Sequence, residues 1–569
     1  MTVDLDATRV FRVLAIDDHE TTLEEIEDQL DPLGIEVIPA TTAAMAIEIL
    51  DRQYIDAAIV DILLKDVEAG REVLRQMRHR APAAATVIAS AYTDNLGEFI
   101  GIDAPQLLKI VHKDPMELPE DWAVQALRKP FEDWQARAVR IENIELAIRL
   151  LEKRRDRLPQ LREGEELACE IDRLFRLVFG AATDPTHDSS VTVELRPIRR
   201  EGLSPAATVE ANVSFARDLA EKPVDGTPVV VKIAGRDSTL AEADAYHRYV
   251  KYGVPLLHRV ELLGHAADRA LGVACYSFAS RKRELELETL DEQFALPERA
   301  PYVRRVLDDL FDESARSWYA VTTRPASTAQ YFARSYGLDL VDCQDKLDAA
   351  AKAVERRVGT EVELNAPTQK DDGELRIGRA RLLLPRKSIW GDGVFVKKVP
   401  TCLVHGDMQG GNVMMELDHG ELERVCLIDY ANAGPGPRLV DILALEASMR
   451  LGDAHSILAG FGVEREQELD DESYRRAAMR MAERVEDEAT VLSAMWDPLS
   501  EEHPALPDWA LPAMQLSLLA HTNFEELAES EYIAVALPTA FRHFTFHISK
   551  LARIRLAAWI SAVYARYEP

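Results

Sequence analysis

The first hundred or so residues alternate short apolar runs with amphipathic segments of helical spacing, and few folds accommodate that pattern. Arg12-Val-Leu-Ala-Ile16 runs into Asp17-Asp18, Ala57-Ala-Ile-Val60 into Asp61, Thr86-Val-Ile-Ala89 into Ser90, and Leu107 to Val111 leads to Lys113. Ile35 to Ile38 is a further strand-like run, and Glu24 to Leu33, Thr42 to Leu50 and Gly70 to Arg80 carry the helical spacing between them. Strands that alternate with helices predict a parallel sheet with crossover helices, in a doubly wound α/β domain. In such sheets the binding edge lies at the carboxyl ends of the strands, where Asp17, Asp18, Asp61, Ser90 and Lys113 all fall.

Three carboxylates on one edge repel one another unless a divalent cation sits among them. Such a cation neutralises an incoming phosphoryl group while Asp61 attacks it, and the Ser90 hydroxyl and Lys113 ammonium can hold the oxygens of the acyl phosphate. One polar residue at a strand end is ordinarily a solvated loop residue; five in register favour a phosphoacceptor site. Over roughly its first 117 residues the sequence resembles the receiver domain of two-component response regulators, on this acidic pair, acceptor Asp, hydroxyl residue and Lys. The resemblance implies phosphorylation of Asp61, Mg²⁺ held by Asp17, Asp18 and Asp61, a switch made of Ser90 and Lys113, and a cognate histidine kinase or other phosphodonor as partner.

A second constellation lies at His405-Gly-Asp-Met-Gln-Gly-Gly-Asn412, followed after a hairpin-like segment by Leu427-Ile-Asp-Tyr430. It sets a carboxylate, Asp407, against an acceptor hydroxyl, and an amide oxygen (Asn412) and another carboxylate (Asp429) against Mg²⁺ on nucleotide phosphates. Upstream the chain is strand-rich, at Val191 to Pro197, Val209 to Phe215, Thr227 to Ile233, Arg259 to Leu263 and Gly272 to Phe278. Lys232 ends the third run, and Glu242 follows on a helix expected from Thr239 to Tyr252, so a helix glutamate could hold a strand lysine on the phosphates. From about Val191 onward the sequence resembles the aminoglycoside/choline-kinase branch of the protein-kinase-like fold, on H-G-D-x-x-x-x-N, I-D-Y and Arg438-Leu-Val-Asp441-Ile. That resemblance implies two lobes, ATP and Mg²⁺ as cofactors, Asp407 as catalytic base, Asn412 and Asp429 as metal ligands, Lys232 on the phosphates with Glu242 as its partner, Asp441 as a structural residue, and His405 as a support for the loop. The turn at Gly202 has one glycine where a phosphate loop usually has several, so Ser204 or its neighbouring amides are the expected phosphate contact.

Trp122 to Leu158 reads as one charged amphipathic helix, either an element that carries a signal or a homodimer contact or an amphipathic linker packed on its own domain. The long insertion from Phe278 to Thr401, with helices over Asp291 to Tyr319 and Cys343 to Val358 and a strand-prone Arg376 to Val399, is where acceptor selection is expected. His543 and His547 sit among Phe541, Phe544 and Phe546 and read as core or surface histidines in preference to metal ligands. A net charge of −31 opposes nucleic acid as the main partner. The five scattered cysteines fit a reducing compartment, and no apolar run is long enough for a bilayer, so a cytoplasmic protein without a membrane partner is expected.

The expected organisation is multidomain, α/β plus α+β. A doubly wound receiver spans 1–117, a helical connector 118–185, a kinase-like strand lobe 186–280, an insertion and the start of the helical lobe 281–400, and the catalytic loop with the helical lobe 401–569. The function expected is ATP- and Mg²⁺-dependent phosphoryl transfer to a hydroxyl of a small molecule or protein, regulated by Asp61 phosphorylation. The alternative is a nucleotide-binding pseudokinase that signals by binding a partner without turnover.

Overall fold

The run Phe11–Ile16 is buried at every position because both faces of its sheet are covered. In the computed structural model, strands β1 (Phe11–Ile16), β2 (Ile35–Ala40), β3 (Ala57–Val60), β4 (Ala85–Ser90) and β5 (Leu107–His112) form a sheet in the order β2-β1-β3-β4-β5, with every pairing parallel. The described residues are 10–567, leaving out 54, 65–66, 82–83, 91–106, 114–117, 137–138, 159–160, 162–163, 181–190, 199–205, 216–226, 269, 280–285, 295–299, 338–339, 360–361, 392–394, 396–397, 497–515, 517–526 and 545–547. Side chains alternate between the faces of a strand. Phe11, Val13 and Ala15 therefore pack on Leu23, Ile26 and Leu30 of helix α1 (Glu20–Leu30), while Leu14 and Ile16 pack with Ala46 and Leu50 of α2 (Ala43–Arg52) and Val73, Leu74 and Met77 of α3 (Val67–Arg80). Each of the Val, Leu, Ile, Met and Phe side chains among them, fully buried, contributes about 1.5–3 kcal/mol. Thr42 starts α2 by accepting a hydrogen bond from the Met45 amide at 3.2 Å.

The single helix expected from Trp122 to Leu158 does not form. Helix α4 (Trp122–Ala136) buries Trp122, Ala123 and Leu127 in the same core as β1, with Phe131 and Trp134 edge-on to Phe11. A strand, β6 (Val139–Glu142), and a shorter helix, α5 (Ile144–Glu152), follow it. The physical reason is packing: Val139 is needed in one core and Trp122 in another, and no straight helix serves both. Asn143 takes up the reversal with a left-handed φ of 64°, its side-chain amide donating to the Leu195 carbonyl.

β6 opens a six-stranded sheet with β7 (Val191–Pro197), β8 (Ala207–Phe215), β9 (Thr227–Gly235), β10 (Leu262–Ala267) and β11 (Leu271–Ser277), in the order β10-β11-β9-β8-β7-β6. The β6–β7 pair is parallel and the rest are antiparallel. One face carries Val193, Val209, Val231 and Val273, covered by Leu150 and Leu151 of α5 and by Ile171, Leu174 and Phe175 of α6 (Gly164–Gly180). The connector helices are thus half of this layer's core. These elements, with helix α7 (Arg236–Ala245) up to Asp244, make one unit of residues 1–244 and 261–278.

The other unit comprises 245–260 and 279–569. Its small sheets include the hairpin Val413–Asp418 with Glu421–Leu427, joined by Glu286–Thr289, and the pair Thr401–Val404 with Gly434–Pro437. In the insertion, Leu340–Val358 is helical and Val362–Asn365, Gly373–Ile377 and Ala380–Leu384 form an antiparallel sheet, so strand structure begins before the expected Arg376. The core helices include α8 (Thr328–Tyr336), α9 (Val440–Ala459), α10 (Asp471–Trp496), α11 (Glu529–Phe544) and α12 (Lys550–Ala565). Among the described residues no helix is long and apolar enough to cross a membrane.

A buried charge network fixes how these helices pack. Arg450 of α9 and Arg555 of α12 are fully buried, and both donate to Glu488 of α10, Arg450 through Nη2 at 2.7 Å and Arg555 through Nη1 at 2.8 Å. Arg450 also stacks over Trp559 and bonds Glu446, whose carboxyl burial pushes up to about 7. Removing one member of such a network strands the opposite charge without water. Glu488→Ala is therefore expected to lower stability by about 3–5 kcal/mol in urea unfolding followed by circular dichroism. A single-variant loss under about 1 kcal/mol would show that the network is not what holds α9, α10 and α12 together.

Candidate functional site

At the carboxyl edge of the parallel sheet, Asp17, Asp18 and Asp61 each bring a carboxylate oxygen within 4.8 Å of the others, a geometry that suits a Mg²⁺ ion. The backbone holds the acids in place: the Asp61 amide donates to the Ile16 carbonyl at 2.8 Å, Asp61 Oδ1 accepts from Leu63 N–H at 2.9 Å, and Asp17 Oδ1 accepts from His19 N–H at 2.9 Å. Lys113 lies across the site, donating to Asp61 Oδ2 at 2.9 Å and to Asp17 Oδ2. Its own amide donates to the carbonyl of Ser90, the fully buried last residue of β4. All five predicted residues therefore meet on one edge, because β1, β3 and β4 end level with one another. Sequence reading missed Gly70. A Cβ there would come within 2.4 Å of the Ile62 carbonyl oxygen, so α3 can cross the chain just after Asp61 only with glycine at that point.

In the antiparallel sheet, Lys232 of β9 points away from the valine face. Its ammonium is 2.8 Å from Glu242 Oε2 on α7, with Glu242 buried and Lys232 partly buried. Tyr276 of β11 donates to Glu242 Oε1 at 2.6 Å. The pair is thus held from three elements, which gives Glu242 one rotamer and Lys232 one direction. Ser204 lies outside the described residues.

In the second unit, the His405–Asn412 segment is organised around Asp441, in the first turn of α9. Its carboxylate accepts the amides of His405 and Gly406 at 2.8 Å each, and the Tyr319 hydroxyl at 3.1 Å. Burial pushes the Asp441 carboxyl upward, opposed by His405 and by those two amides. His405 Nδ1 accepts the Asp407 amide at 3.3 Å, so Nε2 carries the hydrogen and donates to the Ile428 carbonyl at 3.0 Å. The imidazole bridges the Asp407 and Asp429 segments and has no nitrogen left for proton transfer. Asn412 Nδ2 donates to the Asp407 carbonyl at 2.8 Å, which leaves its amide oxygen for a metal. Gly406 (φ 78°) runs so close to the Asn432 carbonyl that a Cβ would lie 2.3 Å from it, and Asp429 takes the left-handed φ of 62°, a conformation uncommon for a residue with a side chain.

A further residue enters from α11. Arg542, with 6% of its side chain exposed, donates through Nη2 to Asp407 Oδ1 at 2.5 Å and through Nη1 to the Gly406 carbonyl at 3.1 Å, and its guanidinium stacks 3.8 Å over Tyr336 of α8. The Tyr336 hydroxyl donates to the same Gly406 carbonyl, and burial pushes its pKa up to about 12. No local signal could have revealed Arg542, which lies 135 positions from Asp407 in sequence. His543 is a core residue, its Nδ1 hydrogen-bonded to the Thr539 carbonyl and its pKa held down to about 4 by burial and by Arg542, whereas His547 lies outside the described residues.

Comparison with known proteins separates two segments. Residues 13–111 match the family model described as response regulator receiver domain, and residues 224–478 match that of the phosphotransferase enzyme family. The chain is 35% identical over 82 residues to the alginate biosynthesis transcriptional regulatory protein AlgB of Pseudomonas putida, a match covering 14% of this chain and 18% of that protein. Among solved structures, it is similar to a response regulator from Thermotoga maritima (22% identity, 21% of this chain, 98% of that one, TM-score 0.19) and to a CheY-like receiver domain protein from Methanospirillum hungatei (22% identity, 22% and 99%, TM-score 0.19). The chain therefore carries a response regulator receiver domain at residues 13–111 and a domain of the phosphotransferase enzyme family at residues 224–478.

Proposed function

We propose that this chain is a response regulator whose output is ATP- and Mg²⁺-dependent phosphoryl transfer to a hydroxyl group of a small molecule or protein, set by phosphorylation of Asp61. The observation that carries this reading is the lattice in which Asp441 and His405 hold the loop, and Asn412 is turned to keep its amide oxygen available next to Asp407. An assembly of buried hydrogen bonds around one carboxylate and one amide oxygen fits chemistry that needs positioning more than reactive groups, as phosphoryl transfer does. In that transfer the acceptor oxygen bonds the γ-phosphorus, the bridge to ADP breaks, and the hydroxyl proton passes to Asp407. Asn412 and Asp429 would hold Mg²⁺, which neutralises phosphate charge, and Lys232, fixed by Glu242, is assigned to the phosphates. Asp17, Asp18 and Asp61 are assigned a second Mg²⁺, and a histidine kinase or other phosphodonor is the expected source for Asp61. Cys275 and Cys402 carry buried free thiols, which fits the reducing cytoplasm we propose.

One observation favours the second reading, a pseudokinase that binds nucleotide without turnover: Arg542 already occupies Asp407 Oδ1, so that oxygen is not open to an acceptor hydroxyl. Transfer of ³²P from ATP into lysate components and small hydroxyl compounds distinguishes the two readings, because a pseudokinase labels nothing.

For the receiver, Asp61 should bind beryllofluoride only when Mg²⁺ is present, since Asp17 and Asp18 add negative charge and cannot neutralise the phosphoryl mimic. Fluorescence or mass spectrometry would report it, and an Asp61→Asn protein that binds as well as the wild type refutes the assignment.

For the catalyst, Asp407→Asn keeps size but removes the base, so turnover should fall by roughly 10²-fold or more with nucleotide affinity nearly unchanged. Asp429→Asn should instead weaken Mg²⁺-ATP binding, measured by calorimetry, because a ligand charge is lost. The assignment fails if Asp407→Asn weakens binding as much as Asp429→Asn does.

A further inference from the structure

Arg236 is the first residue of α7, the helix that carries Glu242, yet a cation is unfavourable at the positive end of its own helix. Its side chain is directed elsewhere. Nη2 donates to the carbonyl of Leu50, one of the last four carbonyls of receiver helix α2, and lies 3.7 Å from Asp51 Oδ1; the side chain is 10% exposed. At the negative end of α2 the guanidinium is favourable and satisfies a carbonyl left open by the helix terminus. The Arg236 amide donates to the Ala270 carbonyl at 2.9 Å, in the turn between β10 and β11.

The same turn meets the receiver a second time. Asp268 is buried and accepts from Arg173 of α6 at 3.1 Å, with Arg12 of β1 3.8 Å away. The Arg12 amide donates to Asp56 Oδ2 at 2.8 Å, just before β3, and burial pushes the Asp56 carboxyl up to about 7. This contact lies at the amino edge of the parallel sheet, opposite the acidic site. From it β1 runs from Arg12 to Asp17 and β3 from Asp56 to Asp61, roughly 16 Å each at about 3.3 Å per residue. The two strands join the docked edge directly to the two acids that Lys113 bridges.

We propose that the amino edge of the receiver is the docking surface for α7, and that Arg236 transmits the state of Asp61 to the Lys232–Glu242 pair by anchoring α7 to α2. This rests on the phosphotransferase reading for its consequence, not for the link itself. When the phosphodonor's bond to phosphorus breaks and an Asp61 oxygen takes the phosphoryl group, the added negative charge draws Lys113 from Asp17, and the side-chain bridge between the ends of β1 and β3 opens while their backbone pairing remains. The shift reaches α2 through the chain that leads from it to Asp56 and β3, and α7 through Arg236. The Lys–Glu pair of kinase-like folds must be in place for catalysis, so moving α7 changes nucleotide handling.

The test uses the full chain with and without beryllofluoride and Mg²⁺, in the wild type, Asp61→Asn, Arg236→Met and Arg236→Lys. Two readouts are taken: hydrogen exchange of the Arg236–Ala245 amides, and the affinity for Mg²⁺-ATP. In the wild type both should change by about fivefold or more on beryllofluoride binding. Asp61→Asn should show no change, which excludes beryllofluoride acting at the nucleotide. Arg236→Met should lose the response, and Arg236→Lys, which keeps a charged donor, should retain it. If the methionine variant does not fold, Arg236→Gln replaces it, with at least a halved response expected. Unchanged exchange in α7 of the wild type, or an undiminished response without Arg236, overturns the proposal. If α7 exchange follows this pattern while Mg²⁺-ATP does not bind, the link stands and the nucleotide reading falls.

Discussion

A buried carboxylate needs several donors or it loses its charge, and Asp441 meets that requirement by taking the backbone of the chain's most chemically loaded loop as its partners. The same hydrogen bonds that let the acid stay inside fix the His405 and Gly406 peptide planes, and through them the positions of Asp407 and, by way of the imidazole, the Ile428–Asp429 segment. Its place in the first turn of α9 adds the favourable pole of a helix that is almost wholly buried. The loop is thus built from the core outward, and its two conformationally unusual positions, Gly406 and Asp429, are held by that core.

Charge inside this protein is handled throughout by sharing. Lys113 serves two receiver acids, Glu488 serves two arginines, Glu242 accepts from a lysine and a tyrosine, and Arg542 divides its donors between a carboxylate and the carbonyl before it. In each case a group that changes charge, or leaves, alters a partner on another element. That is the physical basis on which a charge change at Asp61 can be felt away from it.

The receiver sheet was legible because its strands are buried on both faces and so appear as unbroken apolar runs whose ends carry the chemistry. Asp407, Asn412 and Asp429 drew notice for a different reason: their spacing along the chain is short enough to be read as a pattern, while the Lys232–Glu242 pair, ten residues apart, was legible from a strand end and the helix after it. Arg542, Tyr276 and Arg236 were not, since each acts on a residue distant in sequence through a contact that exists only after packing. The misread helix from Trp122 to Leu158 shows the limit of periodicity: the apolar positions were right, but they served two cores, and the strand at Val139–Glu142 is too short to announce itself against helical neighbours.

That short strand has a consequence for how the chain is divided. Because β6 pairs in parallel with β7 and the helices after it cover Val193, Val209 and Val231, the segment between the two matched families is neither linker nor spacer but the edge and one wall of the downstream sheet. A cut placed at the start of the phosphotransferase match would expose an unpaired strand and an apolar face, the two features that drive chains to associate. The smallest portable piece of this protein is accordingly larger than the family match, and a receiver could be exchanged only upstream of Val139.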